Sequence, residues 1–155
     1  MIFDREPVTR LIGLAGGIHL KTQRIAERAL KEVDLTYAQF GTLMAIAEKD
    51  GRSQRELADR LETDSNTVMV VCDSLQRKGL VERRADPADR RVWRISLTQN
   101  GSGAFAKGLA IVKALYKPLL RLLSDQAVAR ALPVLERLYG HLKERERDRA
   151  GENAV

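Results

Sequence analysis

What most restricts the folding of this chain is a succession of helix start and stop signals within residues 35–79. In "LTYAQF", Thr36 stands as an N-cap and Gln39 as the third helical residue, the two partners of a capping box, with Leu35 and Phe40 placed for a hydrophobic staple. The run "SQRELADRL" repeats the device, Ser53 capping and Glu56 reaching back, while Leu57, Ala58 and Leu61 form an apolar stripe. Thr63 or Asp64 then caps a further helix, and Gly79 ends it as a left-handed C-terminal stop. The spacing predicts a helix over 37–48, a short one after Ser53 and one running up to Gly79. Two short helices across a tight polar turn form a helix-turn-helix pattern.

Periodicity assigns the faces of the last of these helices. Val68, Val71, Cys72 and Leu75 fall at i, i+3, i+4 and i+7, which makes them the packed stripe. The opposite face presents Asn66, Met69, Val70, Asp73 and Arg77, with Ser65 and Ser74 flanking and Thr67 in the first turn. The DNA major groove is about 12 Å wide and admits one such helix; Asn66 suits an adenine edge, and Met69 and Val70 suit thymine methyls. Scattered exposed apolar residues are also common in proteins that bind no DNA. Asp73 would be repelled by phosphates unless paired, and Arg77, four residues on, is its expected partner.

Beyond Gly79, residues 80–84 and 91–97 read as antiparallel strands, with Trp93, Ile95 and Leu97 alternating against Val92, Arg94 and Ser96. "ADPAD" between them is turn chemistry. The result is a β-hairpin wing with Arg90 and Arg91 at its tip. From Arg77 to Arg94 there are seven basic residues (Arg77, Lys78, Arg83, Arg84, Arg90, Arg91 and Arg94) and three acidic ones (Glu82, Asp86 and Asp89), a balance of +4 within a chain of net charge +6. Arginines on a thin hairpin suit the minor groove, where narrow A·T-rich segments concentrate negative potential.

The rest of the chain supplies bulk. Its 155 residues, 44% hydrophobic and 31% charged, fit one folded domain over 1–155. The longest apolar run, 11–18, is far short of a bilayer span, and "MIFDREP" lacks the order of a signal peptide, so no membrane is expected and the chain reads as cytoplasmic. Helix-like periodicity covers 9–33, apolar on more than one face. It recurs over 99–123, where Pro118 kinks the helix or redirects the chain, and in a last helix that Ser124 caps and that runs to about residue 146. "KERERDR", 143–149, holds 4 basic and 3 acidic residues and reads as a solvated helix end. The apolar stripes of 9–33 and 99–148 exceed what the lobe over 35–100 needs for a core, which implies dimerisation helices. A two-fold dimer reads an inverted repeat with half-sites about one turn, roughly 10 base pairs, apart.

Chemistry of the enzymatic kind finds no support. The two histidines, His19 and His141, have no Cys or Asp/Glu cluster beside them, and the glycines of "GLAGGIH" lie in an apolar helical context rather than after a strand. No metal and no cofactor are expected.

The motifs in order, "LT..QF", "S..ELA", "T.S.TV...D.L...G.V.R" and "D.R.....LT", over about two-fifths of the chain, resemble the winged helix-turn-helix of the MarR family of bacterial transcriptional regulators. The resemblance implies a mainly α fold with a small β-hairpin wing, a homodimer and double-stranded DNA as partner. It implies further that Ser65, Asn66, Met69 and Val70 face bases, that Ser53 and Gln54 lie near the phosphate backbone, and that Asp89 braces Arg91 in the minor groove. Arg84, Arg90 and Arg94 join these as wing contacts. The chain departs from the family at Val70, where a polar or basic residue is frequent, and at Ser74, where an arginine is common. Many members release DNA on binding small aromatic acids or phenols, for which His19, Arg24 and Tyr37 are candidate anchors here; others sense oxidants through a cysteine. Cys72, the single cysteine, lies on the packed stripe, where its thiolate is disfavoured. Two alternatives stand beside a ligand-released repressor: a winged-helix module for protein contact, and a redox regulator acting through Cys72.

Overall fold

The computed structural model describes residues 6–152, and the chain divides into two compact units, Met1–Leu115 and Tyr116–Val155. In the first unit, α1 (Pro7–Leu30) starts at a proline, whose fixed φ and missing N–H suit a first helical turn, and closes in a 3-10 turn, Lys31–Val33. Then come α2 (Tyr37–Glu48), β1 (Arg52–Ser53), α3 (Gln54–Leu61), α4 (Ser65–Arg77), β2 (Val81–Ala85), β3 (Trp93–Leu97) and α5 (Gln99–Leu120), whose last five residues belong to the second unit. Both capping boxes form. Gln39 N–H donates to Thr36 Oγ1 at 3.1 Å and Thr36 N–H to Gln39 Oε1 at 3.0 Å. Ser53 N–H donates to Glu56 Oε2 at 2.8 Å. Asp64 rather than Thr63 caps α4, accepting from Thr67 N–H at 2.8 Å, because its backbone holds the extended conformation a cap requires. Gly79 follows α4 at φ +67°, the left-handed conformation glycine adopts without a Cβ clash.

The three strands form one antiparallel sheet in the order β1-β3-β2, with Arg83 opposite Ile95 and Ala85 opposite Trp93. β1 is a departure from the two strands expected at 80–84 and 91–97. Its two residues carry too little pattern to register, yet they pair with Ile95 and Arg94 and so fasten the wing to the start of α3. Leu30, Leu43, Ile46, Leu57, Val68, Cys72, Leu75 and Ile95 fill the core between α1, α2, α3, α4 and the sheet. Each such aliphatic side chain contributes about 1.5–3 kcal/mol on burial. Trp93 follows the expected alternation in facing the same side as Ile95, but the core ends before it and half of its surface stays exposed.

α5 is seated by two close approaches. A Cβ on Gly101 would stand 1.8 Å from the Leu80 carbonyl oxygen, and one on Gly108 would stand 2.8 Å from the Phe40 ring, beside the stacked Phe40–Phe105 pair with centroids 5.9 Å apart. Pro118 falls within the last turn of α5, which ends at Leu120 rather than 123. In the second unit, Ser124 accepts from Ala127 N–H at 3.2 Å and opens α6 (Asp125–Glu152), which continues past Pro133. Its Leu132, Val134, Leu135, Tyr139 and Leu142 are exposed on the single chain, as are Leu11, Ile12, Leu14 and Ile18 of α1. The expected solvated tail falls partly outside the described residues, at the side chains of 147–149, and so does the N-terminal stretch 1–5.

Candidate nucleic-acid interface

The exposed side of α4 and the adjoining wing make the candidate interface. Val68, Cys72 and Leu75 turn inward as the packed stripe, with Val71 half-buried, and this leaves Ser65, Asn66, Met69, Val70 and Arg77 exposed. Met69 and Val70 keep 44% and 62% of their surface, a substantial apolar area on a helix whose neighbours are polar. Thr67 is exposed, but its hydroxyl donates to Asp64 Oδ2 at 2.6 Å; that bond and the Thr67 N–H hold the Asp64 carboxyl below the usual range. Ser53 Oγ is likewise taken by its cap, and Gln54 is half-buried at the start of α3.

Several expected contacts are turned to other work. Ser74 does not face outward: its hydroxyl accepts from Gln39 Nε2 at 2.9 Å, tying α4 to α2. Asp73 pairs not with Arg77 but with Arg83 of β2, Oδ1 to Nη2 at 2.6 Å. β2 brings Arg83, opposite Ile95, against the carboxylate, while Arg77 stays exposed at the end of α4. Arg83 also lies beside the Cys72 thiol, yet burial outweighs that cation and pushes the thiol up to about 11. The Arg83 Nε is buried with no acceptor, and its Nη2 meets Asp73 as an ion pair off-line for a hydrogen bond. Arg94 is a strut rather than a free wing cation. Its Nε donates to Asp86 Oδ2 at 2.6 Å and its Nη1 to Glu56 Oε2 at 2.7 Å and Gly51 O at 3.3 Å, which joins the wing to the first turn of α3. Glu56 is the anchor of that joint: the Ser53 N–H first, then Lys49, hold its carboxyl down to about 2.

The wing tip is built around its aspartates. Asp86 Oδ1 accepts from Ala88 N–H at 2.8 Å, and Asp89 Oδ1 from Arg91 N–H at 3.0 Å. The Arg91 fork closes on the same carboxylate, Nε to Oδ1 at 3.1 Å and Nη2 to Oδ2 at 3.3 Å, while its side chain remains 90% exposed. The bond from Arg91 lowers the Asp89 carboxyl. Arg90 is exposed beside it, and Arg84, also exposed, pairs with Glu82 at 2.6 Å. The two carboxylate-anchored turns fix the direction in which the tip presents its cations.

The three candidate ligand anchors do not share one cavity. Arg24 lines a cleft of about 480 Å³ on α1 with Leu20, Gln23 and Arg28. Tyr37 lines a separate apolar cleft of about 190 Å³ between α2 and α4, and its N–H donates to Glu27 Oε2 at 2.6 Å. His19 is exposed, its carbonyl accepting from the Thr22 hydroxyl. Among the described residues no three His, Cys, Asp or Glu side chains gather as metal ligands would, and no helix is long and apolar enough to cross a membrane.

A family profile described as the MarR family matches residues 33–92. A protein of Thauera aromatica named for transcriptional regulation of the hcr operon is 30% identical over 129 residues, 79% of this chain and 78% of its own length. Among solved structures, a mutant MarR from E. coli complexed with operator DNA shares 28% identity at a TM-score of 0.73, over 86% of this chain and 98% of that one. CouR from Rhodococcus jostii RHA1 bound to p-coumaroyl-CoA shares 25% identity at a TM-score of 0.73, over 86% and 92%.

Proposed function

Because the chain belongs to the MarR family of transcriptional regulators, we propose that it acts in the cytoplasm as a homodimeric, sequence-specific repressor, released from a palindromic operator by a small aromatic or phenolic ligand. The observation that carries the DNA part is the side-by-side placement of an exposed α4 stripe, Ser65, Asn66, Met69 and Val70, and a hairpin tip whose Arg91 is held by Asp89. A helix in the major groove then reads base edges, and the tip enters the neighbouring minor groove. Ser53, Gln54, Thr67, Arg77, Arg84 and Arg90 flank that surface; Ser74 and Arg94 act through position, holding α4 and the wing. The relative solved with operator DNA supports DNA as the partner.

Dimerisation would cover the apolar residues left exposed on α1 and α6 over residues 9–33 and 99–148. The ligand part is supported by the relative bound to p-coumaroyl-CoA and by the clefts that Arg24 and Tyr37 line. A redox mechanism through Cys72 is disfavoured by a thiol that burial keeps protonated at neutral pH.

The deciding experiment is fluorescence anisotropy on the DNA upstream of the protein's own gene against a shuffled duplex, at two salt concentrations. Preference for the native fragment with a steep salt dependence is the expected result. Arg91→Ala should weaken binding and reduce the slope of log affinity against log salt by about 0.9, the share of one phosphate contact. Equal weak binding to both duplexes would favour a protein-contact module instead, and an unchanged Arg91→Ala would remove the wing from the interface.

A further inference from the structure

We propose that the cleft where the recognition helix meets the wing seats the DNA sugar-phosphate backbone, with Gln76 and Trp93 as additional operator contacts. This rests on the proposed docking of α4 and the wing tip in neighbouring grooves. In duplex DNA a phosphodiester strand separates each major groove from the next minor groove. A protein with a helix in one and a hairpin tip in the other therefore straddles that strand, and the surface at the junction of helix and hairpin faces it.

In this chain the junction is a concavity. A cleft of about 410 Å³ is lined by Gln54 at the start of α3, Gln76 on α4, Arg83 on β2 and Trp93 at the start of β3. Met69, Asp73 and Gln76 fall at i, i+4 and i+7, so the cleft continues the exposed stripe of α4 rather than opening on another side. Trp93 is the chain's single tryptophan and shares a sheet face with the fully buried Ile95, yet it keeps 50% of its surface exposed. A large aromatic left half open over a polar cleft matches recognition surfaces, where the ring covers apolar sugar and the indole N–H donates. The two carboxamides bring further donors. No carboxylate is among the residues that line the cleft, and the charge of Arg83 is met by Asp73 at 2.6 Å. The seat is thus built of neutral donors beside a neutralised pair. It positions a strand by hydrogen bonding, without adding to counterion release and without reading sequence.

That chemistry gives a signature that charged contacts lack. The full chain is titrated with the duplex from upstream of its gene and with the shuffled duplex, reading both the anisotropy of labelled DNA and Trp93 emission. Emission is expected to change with the same midpoint as the anisotropy. Gln76→Ala and Trp93→Phe are each expected to weaken binding about 3- to 10-fold on both duplexes, as one lost hydrogen bond does. Their slopes of log affinity against log salt should stay those of the parent, since neither variant removes a charge. Unchanged melting temperatures would confirm that both variants fold. If the duplex binds while Trp93 emission stays that of the free protein, or if both variants bind as the parent does, the seat is refuted and the docking of helix and wing stands. If no duplex binds at all, the docking and the seat fall together.

Discussion

Glu56→Gln tests whether the joint between α3 and the wing is electrostatic. The carboxylate accepts from Ser53 N–H at 2.8 Å, from Lys49 at 3.1 Å and from Arg94 at 2.7 Å. A carboxyl held at about 2 instead of 4.5 corresponds to a ceiling of about 3 kcal/mol. With 35% of the side chain exposed, solvent screening reduces that to about 1–1.5 kcal/mol at pH 7. Glutamine keeps an acceptor for the Ser53 N–H and loses the charge, so the variant should be less stable by about that amount. The sign with pH follows from the lowered carboxyl. Its contribution is fully present above pH 4.5 and is lost as pH falls towards 2. Urea unfolding of parent and variant, at one protein concentration since any self-association shifts apparent stability, should show the gap at pH 7 and its narrowing by pH 3. A gap absent at pH 7, or equally wide at pH 3, would refute the electrostatic origin.

Gly101→Ala is expected to cost about 3 kcal/mol, because its Cβ would overlap the Leu80 carbonyl and lift the start of α5 from the end of the helix-turn-helix. Thermal unfolding within a degree or two of the parent would contradict the close approach. Cys72, buried and with its thiol pushed up to about 11, should react with a thiol reagent at pH 8 only as fast as the domain opens; rapid stoichiometric labelling of the native protein would revive the redox reading.

Three- and four-residue signals were the legible part of this fold. A capping box needs only its own first turn, so Thr36 with Gln39 and Ser53 with Glu56 could be read from the chain, and so could the inward stripe of Val68, Cys72 and Leu75. What stayed hidden depends on which elements meet. Ser74 sits at the edge between two faces of α4, and only the arrival of α2 turns it towards Gln39, 35 residues away. Alternation along β2 places Arg83 on the inward side with Ile95, but nothing local reveals that Asp73 waits there. The same limit changes the meaning of the wing's charge. Its five arginines suggest a broad positive surface, yet Arg83, Arg84 and Arg94 are each matched to a carboxylate within 2.7 Å. Among the described residues Arg90 is in no such pair, and Arg91, though braced by Asp89, keeps its side chain 90% exposed. Within the wing the outward field is therefore concentrated at the hairpin tip, with Arg77 of α4 exposed apart from it. A source that narrow suits a minor groove better than a flat anionic surface, and this favours DNA over a protein partner for the wing.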